Sequence, residues 1–242
     1  MNQAFQNAGD SVRAGLEQIH ETIAEVKPKL RGWLHLASTP LVLAAGIVLI
    51  ALSPTAATRV GSALYVVSAL LLFGVSATYH RGTWSPRMWR LLKNFDHSNI
   101  FLFIAGSYTP FALILLEGTS RVVMLSVVWT GALLGIAFKL FWPGAPRWMS
   151  APIYIALGWA AIFFIPAFFD GALELGLGIG IAIFVLICVG GALYTAGGVV
   201  YGTQWPNPWP RTFGFHEIFH GFTVAAFIVH YVGVSMATYS LR

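Results

Sequence analysis

Seven runs of mostly apolar residues, separated by short polar breaks, set the pattern of the chain. They cover roughly residues 34–52, 60–80, 97–116, 122–141, 152–169, 173–195 and 214–239. A helix needs about 20 apolar residues to cross the hydrocarbon core of a bilayer. That core offers the backbone no water, so spans of this length have to be helical. The pattern therefore predicts an all-α integral membrane protein, a bundle of seven transmembrane helices in the cell membrane. The breaks are too short to hold a second folded domain. No internal repeat is visible, which leaves a transporter built from inverted halves unsupported.

Ahead of the first run the period changes. Val12, Leu16, Ile19, Ile23 and Val26 recur at three- and four-residue steps, the signature of an amphipathic helix that Pro28 ends. Residues 1–30 are expected to form a cytoplasmic juxtamembrane helix lying on the inner membrane surface, with docking to a partner as the alternative use of its apolar face. Residues 31–242 are expected to form the transmembrane domain. The polar first 30 residues lack the apolar core of a signal peptide.

Composition agrees with the pattern. The chain of 242 residues is 57% hydrophobic and only 10% charged, against about 25% charged in soluble domains, and its mean hydropathy is +0.73. A pI of about 9.6 would suit a nucleic-acid binder, but the basic residues lie in the short connections between spans, where the positive-inside bias puts them. No nucleic-acid partner is expected. Of the 14 Lys and Arg residues, an N-in arrangement leaves only Arg59, Arg121 and Arg242 outside and puts the other eleven inside. The termini are thus expected to lie N-in and C-out. The single cysteine, Cys188, excludes an intrachain disulfide and a zinc–thiolate cluster.

Against this apolar background a few ionisable residues are costly, and such residues are functional candidates. His80 ends the second run, Asp96 opens the third, and His216 and His220 open the seventh. The expected topology puts all four at one depth, near the inner leaflet. His216 and His220 are four residues apart on one helix face, a spacing that offers two ligands to one zinc. Ser76 lies one turn from His80 on its face; bonding to a backbone carbonyl of its own helix is the alternative use of its hydroxyl. Asp96 reads equally as the N-cap of the third helix, serving the amides of His97, Ser98 or Asn99. His35 reads as interfacial or as part of the rim. His97 points about 100° away from Asp96 around the helix. His230 lies about 15 Å beyond His220 along the axis and is expected to hydrogen-bond within the bundle.

Taken together, Ser76-x-x-x-His80, Asp96 at the head of the third span and His216-x-x-x-His220 opening the seventh resemble the hemolysin III family, which groups with the progestin and adipoQ receptors and, more distantly, the alkaline ceramidases. Tyr79-His80-Arg81-Gly82, Gly106-Ser107-Tyr108-Thr109-Pro110 and Phe213-Gly214-Phe215 extend the likeness from about Lys27 to the end. The resemblance implies a seven-helix bundle with zinc near the cytoplasmic side, ligands His80, His216 and His220, Asp96 on the metal or its water, and Ser76 hydrogen-bonding nearby. One departure stands out: many relatives carry a glutamate just before the first span, where this chain has Leu30-Arg31-Gly32-Trp33-Leu34-His35.

Three histidines and an open position are the pattern of a catalytic zinc, which lowers the pKa of a bound water to about 7. Asp96 could accept that proton and Ser76 could orient a carbonyl or oxyanion. The leading expectation is a zinc-dependent hydrolase of lipid amides, ceramidase-like, drawing its substrate from the inner leaflet. The alternatives are a receptor-like or membrane-homeostasis protein with structural zinc, a hemolysin-type pore or cytolytic factor, and, more weakly, a haem protein. Gly131-x-x-x-Gly135 and the glycines at 176, 178, 180, 190 and 191 are expected to allow close helix packing, including a homodimer. Trp84, Trp89, Trp142 and Trp148, near span ends, are expected to anchor at the interface.

Overall fold

Every apolar run forms a helix, and several start at a residue suited to capping. The structure, a computed structural model, describes residues 28–242, so the amphipathic pattern expected over residues 12–26 lies outside the described residues. Helices α1 (Trp33–Ala51), α2 (Ala56–Arg81), α3 (Pro86–Leu115) and α4 (Gly118–Phe141) are followed by α5 (Arg147–Gly158), a 3₁₀ turn at Ala160–Phe164 and α6 (Ile165–Leu173). Then come α7 (Leu177–Thr203) and α8 (Phe215–Tyr239). The stretch Arg147–Leu173 counts as one span, giving seven segments among the described residues that are long and apolar enough to cross a membrane.

Local chemistry explains several starts. Thr55 and Thr58 form a reciprocal capping box on α2, with Thr55 Oγ1 accepting from Thr58 N at 3.1 Å and Thr58 Oγ1 accepting from Thr55 N at 3.0 Å. Ser85 caps α3, and Pro86 takes its first turn, where a missing N–H leaves no bond unmade. That start lies eleven residues before the expected 97. The turns carrying Arg87, Arg90, Lys93 and Asp96 are too polar for an apolar run, yet they continue the same helix. The expected run 173–195 likewise becomes Leu177–Thr203.

Neighbours in sequence pack side by side, and α1 also packs on α8, which closes the ring. Helix α3 is the most buried span. The outward faces are apolar: Leu41 is 69% exposed, Leu134 66% and Phe163 84%. Apolar side chains this exposed over several spans suit a lipid surface, where the surrounding medium is as apolar as they are. The fifth span breaks midway, and Tyr108 makes the break tolerable. Its hydroxyl donates to the Gly158 carbonyl and accepts from Ala161 N at 3.2 Å. Backbone groups freed inside a membrane need such partners.

Glycines permit the closest approaches. A Cβ on Gly135 would run into the Phe101 ring and one on Gly131 into Leu157, so this pair is engaged within the chain. A Cβ on Gly171 would overlap the Leu115 carbonyl, which is backbone and cannot swing aside. Gly171→Ala is expected to destabilise the bundle by about 1–3 kcal/mol, the usual cost of overpacking. The check is thermal unfolding in detergent, where an unchanged midpoint would contradict this packing.

Candidate metal centre

Two helices, α2 and α8, deliver the three imidazoles, and the start of α8 is fixed most firmly. Glu217 Oε2 accepts from Gly214 N at 2.7 Å, and Asn207 Oδ1 accepts from Phe215 N at 3.1 Å. The segment before α1 is tied to the same region: Lys29 N and Leu30 N donate to the Arg211 and Thr212 carbonyls at 3.1 and 3.2 Å. Arg31 then forms an ion pair with Glu217, whose side chain is 1% exposed. Here the sequence departs from the glutamate pattern described above. Before the first span stands an arginine, and the carboxylate it meets comes from α8.

On this footing His216 and His220 face the last turn of α2. His80 Nε2 lies 3.1 Å from His216 Nε2. One ring nitrogen from each of His80, His216 and His220 falls within 4.8 Å of the others, and the three residues are only 6%, 9% and 2% exposed. Ligands at 2.0–2.1 Å and tetrahedral angles put nitrogens about 3.3 Å apart, so the three nitrogens could close on one ion with small adjustments. His220 Nδ1 is buried without a hydrogen-bond partner among the described residues. Such an orphan is costly in an apolar interior, and it fits a centre whose remaining partner is a metal. The donor set, three neutral nitrogens and no thiolate, suits zinc.

Asp96 lies beside this set, with Oδ2 3.8 Å from His80 Nε2. Because α3 starts at Pro86 and Ser85 is its N-cap, Asp96 is a mid-helix residue, which overturns the reading of it as the helix cap. Ser76 is 1% exposed. Its hydroxyl bonds no carbonyl of its own helix, and Asp96 is its polar neighbour. His97 is turned away and bonds the Lys93 carbonyl at 2.7 Å and the Tyr201 hydroxyl at 3.1 Å. His230 bonds the Ile187 carbonyl at 3.3 Å, within the bundle.

Two features of the centre escaped the sequence. His35 belongs to the cluster: its ring stacks on His220 at 3.7 Å between centroids and 16° between planes. It is 2% exposed, and neither of its nitrogens has a hydrogen-bond partner among the described residues. A histidine at the same end of the first span was the available signal. The Arg31–Glu217 pair joins residues 186 apart; a Glu at the third position after Gly214 hints at capping, but nothing local points to Arg31.

A cavity of about 1020 Å³ begins at the histidines and runs into the bundle. His35, Ser76, Asp96 and His220 line one part, and Phe103, Phe111 and Phe184 line others. Trp159 and Val199 line it while being 51% and 50% exposed, so it meets the outer surface between α5 and α7.

These features define a class: a multi-pass helical membrane protein with a buried three-histidine cluster able to hold a metal at one end of an apolar cavity. Within that class the chain belongs to the haemolysin-III related family, whose model matches residues 23–231. It is 34% identical over 170 residues to Hemolysin-3 of Bacillus cereus, covering 70% of this chain and 71% of the relative. It is 33% identical over 161 residues to the Hemolysin-3 homolog of Bacillus subtilis (strain 168), covering 66% and 69%. The Adiponectin receptor protein of Drosophila melanogaster is 30% identical over 188 residues, covering 72% of this chain and 42% of that protein.

Proposed function

We propose that this protein is a zinc-dependent hydrolase of lipid amide bonds, working at the membrane face where the Lys and Arg bias places the cytoplasm. The observation that carries this reading is the joining of a histidine cluster, a carboxylate and a hydroxyl to one end of a largely apolar cavity. His80, His216 and His220 would hold the ion. Bound there, zinc would supply Lewis acidity toward a carbonyl oxygen and water. Asp96 takes a proton from the water that attacks the amide carbon and returns it to the leaving nitrogen. The Ser76 hydroxyl donates a hydrogen bond to the carbonyl oxygen as charge builds on it. The cavity accommodates the acyl chain and keeps bulk water away from the reacting atoms, and its contact with the surface between α5 and α7 lets the lipid enter sideways.

Asp96→Asn tests this assignment. Turnover of a lipid amide such as a ceramide is expected to fall at least about a hundredfold, the usual weight of a general base, while zinc content stays near that of the wild type. A wild-type protein loaded with zinc but inert toward a panel of lipid amides would sink the hydrolase. The relation to an adiponectin receptor favours a second reading, a receptor-like protein in which the same zinc ties spans together. On that reading Asp96→Asn leaves both zinc and signalling intact. A cytolytic pore, suggested by the names of the Bacillus relatives, predicts ion flux in liposomes that survives removal of the histidines.

A further inference from the structure

Lys139, in the last turn of α4, is only 4% exposed, although lysine is the most strongly hydrated of the basic side chains. Its Nζ donates to Ser150 Oγ at 2.9 Å, and this single bond leaves two of its three N–H groups without an acceptor among the described residues. No carboxylate answers the charge: the ion pairs among the described residues are Arg31–Glu217 and His80–Asp96. The carbonyl end of α4 offsets a part of it. Other cations gather instead of anions. Lys93 acts on Lys139, and Lys93, Lys139 and Arg147 all bear on the His97 ring. Arg147 opens α5 one turn before Ser150 and lies over the Tyr201 and Phe215 rings at 5.7 and 5.5 Å. Lys93, Lys139 and Arg147 thus gather about the His97 ring, and no carboxylate pairs with any of them among the described residues.

The position says what kind of anion. Trp89 on α3, whose ring lies under Lys93, Trp142 just past the end of α4, and Trp148 next to Arg147 on α5 are 43%, 51% and 72% exposed. Exposed tryptophans at span ends mark the level of lipid headgroups, and basic pockets between spans at that level hold anionic headgroups. We propose that Lys93, Lys139 and Arg147, with the Ser150 hydroxyl, bind the phosphate of an anionic lipid. The phosphate accepts from the two free Lys139 N–H groups and from the Arg147 guanidinium, and Lys93 adds charge from α3. The positive-inside bias alone accounts for an exposed lysine near a span end. It does not account for a buried one. This site does not depend on the hydrolase reading, since it uses none of the residues placed at the metal centre.

The test uses the full chain in phosphatidylcholine bilayers with and without phosphatidylglycerol, read by thermal unfolding and by native mass spectrometry of retained lipid. Wild type is expected to retain phosphatidylglycerol preferentially and to melt higher in its presence. Lys139→Met should weaken the lipid about fivefold, and Lys139→Met with Arg147→Gln about fivefold further, at roughly 1 kcal/mol per cation. In pure phosphatidylcholine Lys139→Met should melt no lower than wild type, because it removes a buried charge that no carboxylate among the described residues answers. Arg90→Gln, exposed at the same end but outside the cluster, should keep the preference. The proposal is overturned if wild type shows no preference, if the double variant retains it, if Arg90→Gln loses it equally, or if inorganic phosphate gives the same stabilisation as the lipid.

Discussion

Replacing His220 with alanine is expected to strip the protein of its metal while leaving the seven helices in place. Purified wild type should carry about one zinc per chain by elemental analysis, and His220→Ala and His80→Ala only a small fraction of that. The magnitude follows from shared ligation. A structural zinc held by four ligands binds with roughly 10–16 kcal/mol, so one imidazole is worth about 3 kcal/mol or more, a loss on the order of a hundredfold to a thousandfold in affinity. No substitute stands ready among the described residues. His35 stacks flat on the His220 ring, a posture suited to supporting that ring rather than replacing its nitrogen. His230→Ala is the matched control, a buried histidine on the same helix bonded to the Ile187 carbonyl, and it should keep the metal. Because an ion that binds only the folded state adds to its stability, the metal-free variants should also melt lower than wild type loaded with zinc, and chelator should close that gap. Full zinc content in both His80→Ala and His220→Ala would contradict the cluster as the site.

The parts of this centre that were legible in the sequence were those encoded by spacing and depth. Apolar length marks spans, and ionisable residues at span ends can be sorted by the side on which each span starts. His80, His216 and His220 could therefore be grouped before any contact was known. The misreadings have a common cause, because an apolar run ends where polarity begins and a helix does not. Asp96 looked like a helix cap only because the turns from Pro86 to Phe95 are too polar to belong to a run; the helix continues through them and places Asp96 against His80. The break in the fifth span was hidden for a different reason. Gly158 and Pro166 weaken a continuous helix there, but the partner that stabilises the break, Tyr108, lies 50 residues away. His35 was visible as a residue but not as a neighbour, since stacking on His220 depends on how α1 packs against α8.

The Arg31–Glu217 pair should prove to be the most sensitive support of the metal centre. Removing one partner of a buried ion pair typically costs about 3–5 kcal/mol, because the remaining charge is left without water or a counter-charge. Arg31→Met is expected to approach that range, as it strands a carboxylate that is 1% exposed, and the 19% exposure of Arg31 moderates the loss somewhat. Glu217→Gln isolates the charge, since the amide oxygen can still accept from Gly214 N; Glu217→Ala removes the cap as well. Combining Arg31→Met with Glu217→Gln should cost less than the sum of the two, by about 0.5–3 kcal/mol, as expected for residues in direct contact. The second readout is zinc. Glu217 fixes the first turn of α8 one residue after His216, so loosening it should weaken metal affinity about 10–100-fold, the usual effect of losing a group that orients a ligand. A pair that mattered only for folding would lower the melting temperature and leave zinc affinity alone, whereas a pair that positions the ligand moves both. Unchanged zinc affinity in Arg31→Met and Glu217→Gln would assign the pair to folding only.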